Sequence, residues 1–208
     1  MQILDPKISD YVESLLPERD SVLHEMERLA QEKNFPIVGP LVGRLCYQMV
    51  RLLEARRVFE MGSGFGYSAY WMALALPENG KIICTERSEE NIERAEKFFQ
   101  EGGQAGKVEF RHGDALEIIQ TLEGQFDVIL NDIDKRLYPQ SLDLIVPRLR
   151  TGGLLITDNI FWHGRVLEKS QDPDTEGVVK YTKWLFDSKE LWTTIIPLRD
   201  GLALSLKL

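Results

Sequence analysis

From residue 56 onward the chain alternates a short apolar run with a helical stretch five times over, and this alternation restricts the fold more than any other feature. RRVFEM (Arg56–Met61) reads as a strand and leads through a glycine-rich turn into a helix ending at Leu76. The turn PENG follows, then the strand KIICTE (Lys81–Glu86), with Ser88 placed to cap a helix over Glu89–Gln100. KVEFRH (Lys107–His112) is the third strand, with a short helix after Gly113. FDVILND (Phe126–Asp132) is the fourth, with a helix running to Leu149. GGLLITDN (Gly152–Asn159) is the fifth, with a helix over Thr175–Ser188. The ending differs: WTTIIPL, the Asp200-Gly201 turn signal and LALSLKL predict an antiparallel hairpin. Successive strand–helix units build parallel sheets. The expected fold is α/β, a Rossmann-like, doubly wound, seven-stranded and mostly parallel sheet with an antiparallel C-terminal hairpin. Three helical stretches precede it, Lys7–Leu16, Asp20–Lys33 and Pro40–Glu54. A chain of 208 residues fills one core and is tight for two, so residues 1–54 read as a helical cap on a single domain with its core over 55–208.

The totals exclude several classes. A net charge of -8 argues against a broad electrostatic grip on nucleic acid, although Arg44, Arg51, Arg56 and Arg57 form a local basic strip if they share a face. Two cysteines, Cys46 in a helical run and Cys84 in a strand, make a disulfide framework implausible. No apolar run approaches the ~20 residues of a membrane span, and the acidic start MQILDPKISDYVESLLPERD lacks the apolar segment of a secretory leader. The expected location is cytoplasmic.

In doubly wound sheets, ligands bind beyond the carboxyl ends of the strands, and here those ends are acidic. The first strand ends EMGSGFG, with Gly62, Gly64 and Gly66 between strand and helix. Glycines let the backbone approach a ligand closely. A dinucleotide fingerprint is spaced G-x-G-x-x-G, whereas these glycines are spaced G-x-G-x-G. Glu60 stands two residues before the first of them, where its carboxylate would repel a diphosphate and attract a cation. The second strand ends at Glu86, suited to ribose hydroxyls, and Asp114 follows the third. Each acid alone equally well caps the next helix; in series they favour a nucleoside ligand. After the fourth and fifth strands come Asp132, Asp158 and Asn159, all hard oxygen donors suited to Mg²⁺, Ca²⁺ or Mn²⁺. His24, His112 and His163 are dispersed and do not suggest zinc.

The E-x-G-x-G-x-G run resembles the first motif of S-adenosylmethionine-dependent methyltransferases. NDIDKRLYP after the fourth strand and DNIFWHGRV after the fifth, with FPIVGPLVGRL, TERS, GDAL and DGLALSLKL in order, resemble the cation-dependent O-methyltransferases that include the catechol and caffeoyl-CoA enzymes. The resemblance runs from about Phe35 to Leu208. It implies that Val38, Gly39, Glu60, Gly62, Gly64, Ser68, Glu86, Asp114 and Asp132 bind S-adenosylmethionine. It implies also that Asp132, Asp158 and Asn159 hold the metal and that Lys135 is the catalytic base. Ser68, at the start of a helix, suits the methionine carboxylate. Lys135 must be neutral to take a proton; a nearby dication favours that state, and Asp134, which has no assigned role, opposes it. The implied acceptor is a small phenolic, catechol-like or caffeoyl-like, and the implied assembly a homodimer. Phe35 and Pro36 are expected over the cofactor, and Trp162 and His163 beside the acceptor.

Three features depart from that family. Asn131 puts a polar residue before the first aspartate. Thr193-Thr194-Ile195 stand where the animal catechol enzyme has an acid for the second hydroxyl. The segment DNIFWHGRVLEKSQDPDTEG is too short for the insertion that serves a CoA thioester in plant enzymes. The rival readings are a methyltransferase for 5-hydroxyuridine in tRNA, a non-catalytic S-adenosylmethionine-binding protein, and an NAD oxidoreductase, the last disfavoured by Glu60 and the glycine spacing.

Overall fold

A computed structural model describes residues 5–208, so the first four residues of the proposed cap lie outside the described residues. Helices α1 (Pro6–Ser14), α2 (Ser21–Lys33) and α3 (Gly39–Leu52) come first. There follow β1 (Arg57–Met61), α4 (Tyr67–Ala75), β2 (Lys81–Glu86), α5 (Glu89–Glu101), β3 (Val108–His112) and α6 (Ala115–Thr121). The remainder is β4 (Phe126–Asn131), α7 (Tyr138–Arg148), β5 (Leu149–Thr157), α8 (Pro173–Asp187), β6 (Leu191–Ile196) and β7 (Leu202–Lys207).

The seven strands form one sheet in the order β3-β2-β1-β4-β5-β7-β6. Strands β1 to β5 run parallel, and β7 lies antiparallel between β5 and β6. The order reverses at the β1/β4 boundary, where the crossovers leave to opposite faces and a crevice opens. The two-residue period of a strand sorts the apolar side chains into two cores. Val58, Ile82, Val128, Leu154 and Ile156 pack against α2, α3, α4 and α5. Phe59, Met61, Ile83, Ile129 and Leu155 pack against α6, α7 and α8. Helices α2 and α3 therefore share the core of the sheet, whereas α1 buries none of its side chains.

Local chemistry sets the helix starts. Asp20, Ser88, Asp114 and Asp172 each accept a backbone N–H of the first turn. The fifth strand starts at Leu149, earlier than the glycine pair suggests, and stops at Thr157, which leaves Asp158 and Asn159 beyond the sheet. Asn131, the polar departure, is wholly buried on the α7–α8 side of the sheet. Its amide donates to Ser141 Oγ at 3.0 Å and Tyr181 Oη at 3.4 Å, so it clamps α7 and α8 to β4. Both cysteines are buried and free. Among the described residues no helix is long and apolar enough to cross a membrane.

Candidate active site

The carboxyl ends of β1 to β5 open into a cleft of about 920 Å³, with a recess of about 210 Å³ beside it. Glu86, Asp114, Asp132, Asp158 and Asn159 line the cleft. Gly64 and Ser68 line the recess, and Val38, Gly62, Glu86 and Asp132 line both. Phe35 and Pro36 border both, and Trp162 and His163 border the cleft. Gly39 and Glu60 line neither cavity.

The glycine turn is tight because β1 and β4 are neighbours. Gly62 takes φ +84, and a Cβ on it would lie 2.6 Å from the Asp132 carbonyl oxygen. Glu60, one strand residue before Met61, points to the α3–α4 side and is 0% exposed. Ser68 Oγ donates to its Oε1, and Cys84 Sγ donates to its Oε2 at 3.5 Å. Glu60 thus reaches the recess only through Ser68. Burial pushes its carboxyl up to about 7, against the pull of those two hydrogen bonds.

On the other side of the turn, Glu86 Oε1 accepts from the Ser88 backbone N–H at 2.9 Å. Asp114 caps α6 with Oδ1, while its Oδ2 accepts from Arg87. Burial raises the Asp114 pKa, but the Arg87 guanidinium and the helix N–H groups outweigh it and hold the carboxyl low. Arg87 also donates to Asp134 at 3.2 Å. Asp134 is therefore paired with Arg87 and, at 4.0 Å, with Arg136, rather than with Lys135.

Lys135 sits on a 3-10 turn (Lys135–Leu137) between β4 and α7. It is 7% exposed, and its Nζ donates to Asp132 Oδ1 at 2.6 Å and to the Ile133 carbonyl at 3.3 Å. The Tyr138 ring lies 4.9 Å from Nζ and the Trp162 ring 5.9 Å. Tyr138 Oη donates to the Asp158 carbonyl at 2.9 Å and so ties the lysine turn to the end of β5. Asp158 is 6% exposed; its Oδ1 accepts from the Asn159 backbone N–H at 2.7 Å. Burial first, then the charge of Asp132, pushes its carboxyl above the usual range. Asn159 takes φ 56, and its Nδ2 donates to Asp200 Oδ2 at 3.4 Å. A carboxylate only accepts, so the amide nitrogen must face Asp200, which leaves the amide oxygen for another partner. Among the described residues no group of three His, Cys, Asp or Glu forms a metal cage; the set here is two carboxylates and an amide.

Four further residues, to which the sequence assigns no role, also shape the site: Arg87, Asp200, Arg199 and Tyr67. Arg87, inside the TERS run, bridges Asp114 and Asp134. Asp200, half of the Asp200-Gly201 turn signal, also borders the cleft and accepts from the His163 backbone N–H at 2.7 Å. A signal existed: a hairpin that follows α8 brings the carboxyl end of β6, and the turn after it, to the ligand side. Arg199 of the same turn donates to the Ile37 carbonyl at 2.9 Å, joining that turn to the entry of α3. Finally, Tyr67 Oη donates to Glu27 at 2.7 Å beside the recess, a contact between elements far apart in the chain.

The sequence profile of the O-methyltransferase family matches residues 14–208. A catechol O-methyltransferase of Niastella koreensis is 30% identical, with 96% of each chain covered. Caffeoyl-CoA O-methyltransferase 1 of Eucalyptus globulus is 28% identical over 92% of this chain and 83% of its own. The crystal structure of the O-methyltransferase TomG from Streptomyces achromogenes, in complex with S-adenosylmethionine, superposes with a TM-score of 0.89 at 29% identity, covering 97% of this chain and 96% of that one. With a sheet of that order, an acid-lined cleft at its topological switch and a family match over nearly its whole length, the chain belongs to the O-methyltransferase family and is an S-adenosylmethionine-dependent O-methyltransferase.

Proposed function

We propose that the chain methylates one hydroxyl of a small vicinal-diol phenol, with Asp132, Asp158 and Asn159 holding a divalent cation and Lys135 receiving the proton. One observation carries this reading. Asp158 is a nearly buried carboxylate beside Asp132; among the described residues no cationic side chain forms an ion pair with it, although the charges of Lys135 and Arg199 act on it from farther off, and the Asn159 amide oxygen is turned away from Asp200 beside it. Removing charge from water without a partner is costly, so Asp158, next to an Asp132 whose one cationic partner is Lys135, is suited to an added cation. The three oxygen donors fit Mg²⁺, Ca²⁺ or Mn²⁺. Such a cation, when bound, lowers the pKa of a chelated hydroxyl.

The residues of the chain supply the rest. Glu86 is placed for the ribose hydroxyls, Asp114 for the adenine amino group, and Ser68 with the backbone at Val38 for the methionine end. Glu60 orients Ser68 from beneath rather than touching the ligand. The methyl group passes in line from sulfur to oxygen, breaking one bond and forming one, and S-adenosylhomocysteine leaves. Lys135, walled by Tyr138 and Trp162, takes the phenolic proton after giving up its own to solvent. Trp162 and His163 border the acceptor side, and Asp200 takes the place of the missing acid near Thr193. We place the protein in the cytoplasm, and place a second copy of it against the β6–β7 edge, where Trp192 is 69% exposed beside Leu206. Sedimentation of the wild type as a dimer and of Trp192→Asp as a monomer is the expected result.

Mass-spectrometric product analysis tests the function. Pyrocatechol, caffeate and hydroxyuridine-bearing tRNA are each incubated with S-adenosylmethionine and Mg²⁺. A methylated phenol is expected. Product on tRNA alone would replace the acceptor class, and no product on any would remove it.

A further inference from the structure

We propose that Arg87 retains the cofactor: its guanidinium straps the acid after β3 to the acid after β4, across the arm of the cleft that takes the nucleoside. The inference rests on the cofactor placement given under Proposed function and adds to it a residue with no assigned role.

The topology makes the case. Arg87 follows β2, Asp114 follows β3 and Asp134 follows β4. In the sheet, β2 and β3 are neighbours, but β2 and β4 are separated by β1. An ion pair between the loops after β2 and β4 must therefore pass above the carboxyl end of β1, where Gly62 begins the glycine turn. Arg87 makes that pair with Asp134 at 3.2 Å and also donates to Asp114. All three side chains border the same cleft as Glu86, the neighbour of Arg87 in the chain. A nucleoside bound between Glu86 and Asp114 lies within the span of this bridge.

The residue type suits the task. A guanidinium is a planar fork that serves two carboxylates at once; an ammonium is a point charge. With solvent around it the bridge is weak, because the Arg87 side chain is 57% exposed and such pairs are screened. A bound nucleoside displaces water from beneath it and strengthens it. The strap also bears on Asp134, whose carbonyl accepts from the Leu137 backbone N–H at 2.9 Å and starts the turn that carries Lys135.

The test is the dissociation rate of S-adenosylhomocysteine, followed by stopped-flow fluorescence, with calorimetric affinity alongside. Arg87→Ala is expected to release the ligand roughly 3- to 10-fold faster than wild type, the range for one or two exposed ion pairs. Asp134→Asn, which keeps the backbone cap, is expected to change release in the same direction, and Arg87→Lys to resemble Arg87→Ala. Salt is expected to accelerate release from wild type and leave Arg87→Ala unaffected, a response that a merely structural role would not produce. Equal release rates and equal salt dependence in wild type and Arg87→Ala, with both proteins folded by thermal melting, would overturn the strap. Failure of the wild type to bind S-adenosylhomocysteine would remove the cofactor placement itself, and the strap with it.

Discussion

Gly177→Ala is expected to damage catalysis far more than folding. Gly177 lies in the second turn of α8, where the helix presses on the turn that carries Lys135. A Cβ at this position would stand 2.3 Å from the Lys135 carbonyl oxygen and 2.9 Å from the Arg136 Cα. Both obstacles are backbone, so neither can swing aside as a side chain can. An ordinary contact needs ~3.5 Å, so the turn or the helix must move by roughly 1 Å. The turn cannot move freely, because the Arg136 backbone N–H also donates to Asp174 of the same helix at 3.0 Å. Overpacking costs ~1–3 kcal/mol, offset by ~1 kcal/mol from the better helix propensity of alanine. The net loss of at most ~2 kcal/mol lowers the melting temperature by up to ~8 °C in a chain of this size. A ~1 Å displacement of a catalytic group costs ~10²-fold in rate. Steady-state kinetics with pyrocatechol should show kcat reduced by about that factor, while calorimetry shows S-adenosylhomocysteine affinity unchanged, since Gly177 borders neither cavity. A folded Gly177→Ala enzyme with kcat within about twofold of wild type would show that this glycine does not set the position of Lys135.

Two further outcomes follow from the buried acids. Glu60 has a folded-state pKa of about 7 against an ordinary 4.5, so the native state holds its proton more tightly than the unfolded chain. Stability of the ligand-free protein should therefore fall as pH rises from 4.5 to about 7 and level off above that. Glu60→Gln should melt higher than wild type at pH values above about 7, by an amount on the order of 3 kcal/mol, and lose the advantage in acid; a pH-independent difference would contradict this. Adding Mg²⁺ should raise the melting temperature of wild type in proportion to the logarithm of its concentration once it saturates, by ~2.7 kcal/mol at a hundredfold excess over the dissociation constant. Asp158→Asn should show no such rise, and an equal rise in both proteins would move the cation elsewhere.

Much of the fold could be read from the chain because each strand of a parallel sheet is buried on both faces and shows as an apolar run. IIC in β2 and VIL in β4 carry that signature. The strand order was not legible, because hydrogen-bond pairing between β1 and β4 leaves no mark in either segment. The acids at the strand ends were legible as a series, and the cleft brings Glu86, Asp114, Asp132 and Asp158 together. Residue type and spacing do not reveal that Glu60 is met by Ser68 of α4, a contact that only the fold supplies. Adjacency in sequence sets Asp134 against Lys135 on paper. Consecutive residues diverge at the start of a 3-10 turn, and Arg87, 47 positions earlier, is the partner that the fold supplies.

The most direct measurement of the central claim is the initial rate of methyl transfer to pyrocatechol as free Mg²⁺ is varied, for wild type and Asp158→Asn. A saturable dependence on Mg²⁺ in wild type, background rate in EDTA, and background rate at every Mg²⁺ concentration in Asp158→Asn are the expected results. An undiminished wild-type rate in EDTA would contradict the claim.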